Sequence, residues 1–409
     1  MGELWMGCVP NMSERVLSAL YRPEPDHRGE TFGPLLDRII KKVQQVMQTE
    51  NDIAVMTSSG TGGLEAIGIN FFKPGDNVIV PTCGLFSRLL CEYVRNAGAT
   101  PIKVEAPVGD EPPFKDIENA FNQAGKVKAF FSVYDETATG ITFTWFDQIG
   151  ALCRKHDALF LVDAHAIMSV INLPVDKWGI DCCVCVSQIG MGGPTGLCFV
   201  SVSGRAKKYL ENNPPKSVYF NIPLYLRWHS IGQPAHTPAT IIMLATDEGL
   251  NMVLEEGLEM RFKRCEIIAK AFYAAFDSIG VETLTKKKEL RSNLMLAFKC
   301  PPGIDESEFR KLLDNKYGIY VYHAVQGCPP LWRLGTIGPD PVFREGRVIA
   351  TVACISLVLN VMGYKNNVGK AIEAAHEVLK GYPSWGTKKY SPIPWEQPRS
   401  ILKCLKIDD

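Results

Sequence analysis

Three points along the chain place polar, chemically capable residues where an apolar run ends. The first is TSSGTGGLEA (57–66). Its glycines let the backbone approach an anion closely, Ser59 and Thr61 add hydroxyl donors, and a helix starting there offers free N–H groups and a partial positive charge. That is the chemistry of a phosphate cup, although a plain strand-to-helix turn has the same composition. The second is Asp163, which closes the run ALFLVDA. A carboxylate at the end of a parallel strand can pair with a protonated heteroaromatic nitrogen, or it can cap the next helix. The third is Ser187-Gln188, which ends DCCVCVS and leads through Ile189 into GMGGPTG (190–196). These two side chains either face the same crevice or simply finish a strand.

The elements that must position these residues are legible as alternation. β-Rich runs at 52–59, 77–81, 100–106, 127–133, 158–164, 181–187 and 196–203 are separated by amphipathic stretches such as 85–98 and 144–157. This is the pattern of a βα-repeating domain with a mostly parallel sheet. KPGDN and NNPPKS supply breakers between the periodic segments. One long helical pattern over 246–280 reads as a connecting helix, followed by possible strands at 293–301, 318–323 and 331–335 and helices at 305–317 and 346–364. The expected organisation is an N-terminal segment 1–20, a large domain 21–265 and a smaller α+β domain 266–409, with the Pro- and Trp-containing tail from about 381 lying against the body or a partner subunit.

Composition narrows the partners. Lys+Arg 44 balances Asp+Glu 44, so nothing favours a nucleic-acid groove or an anionic membrane surface, and a small molecule or a protein partner is expected. The 13 cysteines show no zinc-type spacing, and Cys182, Cys183 and Cys185 sit in an apolar run that reads as a buried strand. Without a secretory pattern or an apolar run long enough to span a bilayer, the reading is a reduced, cytoplasmic protein. Cys8 and Cys83 read as packing residues.

Taken in order, the motifs resemble the class V aminotransferase group of fold-type I pyridoxal-phosphate (PLP) enzymes, particularly the alanine–glyoxylate, serine–pyruvate and 2-aminoethylphosphonate members. The resemblance runs over nearly the whole chain and implies an α/β fold with a large domain on a mostly parallel seven-stranded sheet and a small C-terminal domain. PNMSERVLSAL and DHRGETF are similar to the group's N-terminal segment. SSGTGGLEA is similar to its S-G-T-G turn, which implies that Gly60, Thr61 and Gly62 hold the cofactor phosphate. GLFSRLL resembles G-x-[WF]-x-x-R and implies that Phe86 stacks on the pyridine face. YDETATG resembles H-N-E-T-S-T-G, and VDA resembles V-D-[AS], which implies Asp163 opposite the pyridine nitrogen. Ser187 and Gln188 match the first two letters of S-Q-K-x and are implied cofactor contacts. HTPAT (236–240) is similar to a segment through which a second subunit reaches the phosphate, which implies a homodimer with His236 and Thr237 at that contact. WRLGTIG resembles R-[IV]-G-x-[ML]-G and implies that Arg333 clamps the carboxylate of a small amino or oxo acid.

The chain departs from the group at three places. Where the group has its cofactor-linking lysine this chain has Ile189, where it has a small or apolar residue two positions after the aspartate this chain has His165, and Tyr134-Asp135 and Met6-Gly7-Cys8 replace His-Asn and Pro-Gly-Pro. An aliphatic side chain cannot link the cofactor or move a proton, and acid–base catalysis by a positioned group is worth roughly 10²–10⁴-fold. Three readings stand. The natural protein has lysine and Ile189 is a substitution; or the lysine is naturally absent and PLP or pyridoxamine phosphate is held non-covalently, with His165 as a base; or the chain is a non-catalytic binding or subunit-pairing relative. Most lone histidines are structural residues, and only its register behind Asp163 raises His165 as a base.

Overall fold

The computed structural model describes residues 3–4, 12–337 and 345–380. The Met6-Gly7-Cys8 stretch with its Cys8, and the tail from 381, lie outside the described residues.

All seven predicted runs form strands: β1 (Asp52–Thr57), β2 (Asn77–Thr82), β3 (Thr100–Glu105), β4 (Val127–Val133), β5 (Leu159–Asp163), β6 (Cys182–Val186) and β7 (Leu197–Val202). They make one sheet in the order β1-β7-β6-β5-β4-β2-β3. β7 runs antiparallel to both its neighbours, and all other pairs are parallel. The carboxyl ends of β1, β2, β4, β5 and β6 therefore share one edge. The strand order reverses where β2 is flanked by β3 and β4, and crevices at such a reversal are where α/β sheets bind ligands.

Thirteen helices surround this sheet and the C-terminal part among the described residues: α1 (Glu14–Ala19), α2 (Phe32–Met47), α3 (Gly60–Phe71), α4 (Leu85–Asn96), α5 (Phe114–Gln123), α6 (Phe146–Lys155), α7 (Gly204–Asn212), α8 (Ile222–His229), α9 (Thr240–Glu256), α10 (Leu258–Ser278), α11 (Glu306–Tyr317), α12 (Glu345–Val361) and α13 (Val368–Leu379). One apolar core joins the seven strands to the helices on both faces. Within it the cysteines of β6 and Cys83 are fully buried, and burial pushes the thiols of Cys83, Cys183 and Cys185 well above their ordinary range. A second core gathers around Trp332, which stacks on Phe298 at 4.7 Å. It covers an antiparallel sheet of β8 (Met295–Lys299), β9 (Tyr322–His323) and β10 (Leu331–Gly335), in the order β8-β10-β9.

Three expectations change. The long helix over 246–280 is two helices, α9 and α10, because Gly257 adopts φ 85° and ψ 137°. Glycine takes that conformation without the steric cost other residues carry. The run 318–323 is split as well: Ile319–Tyr320 pairs with Glu3–Leu4, and only Tyr322–His323 joins the C-terminal sheet. Finally α13, absent from the sequence reading, packs extensively along α10 through Ala371, Ala375 and Leu379.

Candidate active site

α3 begins immediately after the end of β1, with Ser59 as its N-cap accepting from Gly62 N–H. The first turn of any helix leaves N–H groups without intrahelical partners. Here they open at the shared strand edge, beside the exposed Thr61. The glycines are sterically required. A β-carbon on Gly60 would overlap the His165 ring, and one on Gly62 would overlap Ser58 Oγ and lie 3.0 Å from Phe220 Cζ.

Asp163 ends β5, with Val133 and Val184 as its neighbours across the sheet. Its side chain is 10% exposed. Oδ1 accepts from the His165 backbone N–H at 2.9 Å and lies 3.8 Å from His165 Nδ1. Burial raises the Asp163 carboxyl above the usual carboxylate range, and His165 only partly opposes it. A desolvated carboxylate of this kind calls for a cation, and a protonated ring nitrogen would satisfy it. His165, 27% exposed, thus bridges Asp163 and the start of α3.

Phe86 lies in the first turn of α4, where Glu136 accepts from the backbone N–H groups of Phe86, Ser87 and Ala138 at 3.3, 2.7 and 3.2 Å. This buried carboxylate fixes the start of the helix that carries the aromatic ring, with the charge sign the helix N-terminus favours. Its neighbour Asp135 faces Thr142 and Ser292, and burial pushes it up to about 7 against those two hydroxyls. Arg333, on β10, is 5% exposed. It donates from Nε to His323 O at 3.0 Å and from one terminal nitrogen to Thr137 O at 2.9 Å, with its guanidinium 5.3 Å from the Tyr322 ring centroid. The turn 135–142 therefore links Phe86 to Arg333.

The turn after β6 is built tightly. Ser187 donates to Pro194 O at 2.6 Å and accepts from Leu197 N at 3.2 Å, so its hydroxyl closes the turn. Gln188 Oε1 is buried and has no hydrogen-bond partner. Ile189 is 2% exposed and sits at φ 63°. That region costs an L-residue about 1–2 kcal/mol and is least tolerant of β-branched side chains. His236 stacks on Tyr219 at 4.9 Å, with Nε2 buried and unpaired, while Thr237 is exposed. Both belong to a loop tied to β1 of the same chain, since Ala239 N donates to Thr57 Oγ1 and Tyr219 Oη donates to Thr57 O.

The structure thus brings Gly60, Thr61, Gly62, Asp163 and His165 together and places Phe86, Gln188 and Ile189 on the same sheet edge. Sequence reasoning missed Glu136, Phe220 and Tyr93, whose phenol hydrogen-bonds the Thr61 side chain. Tyr93 was findable, because it stands seven residues after Phe86 and so shares its helix face. Phe220 carried no signal.

The residues present suit PLP at two ends, with a glycine cradle at a helix start for a phosphate and a buried, cation-seeking carboxylate for a ring nitrogen. No group of three or more His, Cys, Asp or Glu among the described residues is placed to hold a metal ion, and no helix among them is long and apolar enough to cross a membrane.

A family model described as aminotransferase class-V matches residues 13–334. The chain is 32% identical over 367 residues to an uncharacterised aminotransferase of Methanocaldococcus jannaschii, covering 89% of this chain and 94% of that relative. It is 29% identical over 375 residues to the alanine–glyoxylate aminotransferase of Drosophila melanogaster, covering 89% and 95%. Among solved structures, ureidoglycine–glyoxylate aminotransferase from Bacillus subtilis is similar with a TM-score of 0.86 at 27% identity, covering 92% of this chain and 98% of that one.

Proposed function

The chain belongs to the class V aminotransferase family and has its α/β fold-type I architecture, and from that premise we propose that it holds PLP or pyridoxamine phosphate without a covalent link and acts on a small amino or oxo acid. One observation carries this reading. Ile189, which by motif resemblance stands where the family has its cofactor-linking lysine, is buried and aliphatic, while a sterically constrained glycine turn and a desolvated Asp163 carboxyl lie at the same sheet edge and support a bound phosphate and ring nitrogen.

The first-turn N–H groups of α3 at Gly60, Thr61 and Gly62 take the phosphate, and the positive end of the helix favours its charge. Asp163 holds the proton on the ring nitrogen, and Phe86 covers one ring face. Gln188, whose carbonyl has no other partner, is the polar contact at the end of β6. When bound, the cofactor supplies an electrophilic carbon and an electron-withdrawing ring. With no lysine at position 189, the imidazole of His165 is the base in reach of Asp163 and the cradle, and Arg333 orients the substrate carboxylate. The names of the similar proteins, which pair alanine or ureidoglycine with glyoxylate, support a substrate of that size.

Two outcomes test this reading. The purified protein titrated with PLP or pyridoxamine phosphate should show saturable binding, and borohydride followed by intact-mass measurement should leave it unlabelled. A PLP adduct mapped to a lysine near the site would overturn the placement of Ile189. The active unit is a homodimer, in which the exposed Thr237 and the adjoining His236 of each subunit complete the phosphate site of the other. Light scattering at micromolar concentration should give twice the chain mass, and a monomer that binds the cofactor equally well would defeat the pairing.

A further inference from the structure

Ile189 is not the only side-chain-bearing residue held in the left-handed region near this turn. Ser169 is also at φ 63°, 1% exposed, and the two segments meet at one carbonyl. Gly190 O accepts from Ser169 Oγ at 2.6 Å and from a terminal nitrogen of Arg261 at 2.8 Å, while Arg261 Nε donates to Ser169 Oγ at 3.0 Å. The other terminal nitrogen of Arg261 reaches Glu256 at 2.8 Å, and Arg264 binds the same carboxylate at 2.5 and 3.0 Å. Burial would raise the Glu256 carboxyl, but the two guanidiniums outweigh it and hold it below the usual range.

Glu256 is the last residue of α9, Gly257 is the break, and Arg261 and Arg264 lie in the first two turns of α10. The turn is also pressed from the α9 side, since a β-carbon on Gly249 would lie 2.7 Å from Met191 O. A conformation unfavourable to isoleucine persists only when its surroundings over-determine it, and these contacts do so.

We propose that Arg261 is a positioning residue that holds residue 189 in its left-handed conformation, and that through Glu256 the α9–α10 joint regulates how residue 189 is presented to the crevice. Ser169 completes the link by attaching the segment that follows Asp163 and His165 to the same guanidinium. The ligand-binding part of this inference rests on the function proposed above; the conformational part does not.

The test uses the full-length protein with labelled isoleucine δ1-methyl groups, the Ile189 signal being assigned by its loss in Ile189→Val. Arg261→Met should move the Ile189 signal and leave that of Ile117, buried on α5, in place. Glu256→Gln, a milder change, should move it in the same direction. PLP affinity supplies the second readout. Arg261→Met should weaken binding about tenfold, equivalent to 1.4 kcal/mol, in the unaltered background. It should change binding less than about threefold in an Ile189→Gly background, because glycine takes this conformation freely without the clamp. An unmoved Ile189 signal in both folded variants, or equal affinity losses in the two backgrounds, overturns the proposal. If the unaltered protein binds neither PLP nor pyridoxamine phosphate, the proposed function fails, and the methyl signals alone decide the role of Arg261.

Discussion

The Ile189→Lys variant is expected to take up PLP covalently, so that borohydride adds one reduced cofactor mass and the absorbance of lysine-bound PLP appears. The physical case begins with the backbone. Lysine is not β-branched, so at φ 63° it relieves rather than adds strain, of about 1 kcal/mol at most. Position 189 is 2% exposed, and desolvation disfavours an ammonium there, which makes the neutral, nucleophilic amine more accessible. Its other effects separate the three readings of the chain. A protein that naturally carries lysine there should gain transamination of alanine or serine. A naturally lysine-free enzyme should bind the cofactor covalently but lose its own reaction, because the amine competes with substrate for the same carbon. In that case His165→Ala in the unaltered background should lower the native rate by roughly 10²–10⁴-fold. If the lysine variant takes up no PLP and neither substitution changes any turnover, both enzymatic readings fail and a binding or subunit-pairing role remains.

Asp163→Asn is expected to have opposite effects on the empty and the loaded protein. Folding buries this carboxylate with the His165 N–H and imidazole as its resolved electrostatic support, and its pKa is raised. For an acid with a raised folded pKa, the charged form is penalised in the folded state. Stability is therefore lost as pH rises from the unfolded value near 4 through the folded one, and stays lost above it. The amide carries no such penalty. At pH 7–8 the empty variant should be more stable than the unaltered protein in urea unfolding, with the difference vanishing near pH 4. Cofactor affinity should move the other way, falling roughly 10²–10⁴-fold, because a buried pyridinium without its counter-charge costs about 3–5 kcal/mol. Equal PLP affinity in the two proteins would place the ring elsewhere. A stability difference independent of pH would mean that the carboxylate is not the penalised group.

The seven strands of the large sheet were readable because each is a short β-rich run bounded by turn residues, and strand formation under such patterning is a local matter. Val127–Val133 matches its expected bounds, and the other runs differ by a residue or two at one or both ends, since apolar composition does not mark where pairing stops. The failures share a cause. The periodicity of 246–280 continues through Gly257, and nothing in it announces that Arg261, beyond the break, will bind Gly190 O, 71 residues away. The run 318–323 looks continuous, yet its first half pairs with Glu3–Leu4, more than 300 residues away in the chain.

The candidate site divides along the same line. The order of a glycine-rich turn, an acidic strand end and a polar strand end was present in the sequence, because each motif is contiguous and its chemistry follows from residue type. That Gly60 must be glycine because the His165 ring lies against it was not readable, nor that Glu136 anchors the helix of Phe86, nor that Ser187 is spent on its own turn. By itself the sequence determined which groups could do chemistry and which strand ends carry them. The tertiary structure alone decided which of those groups meet, and it placed Ile189 in a conformation its own side chain disfavours, because burial, steric exclusion and the Arg261 clamp are made by segments distant in the chain.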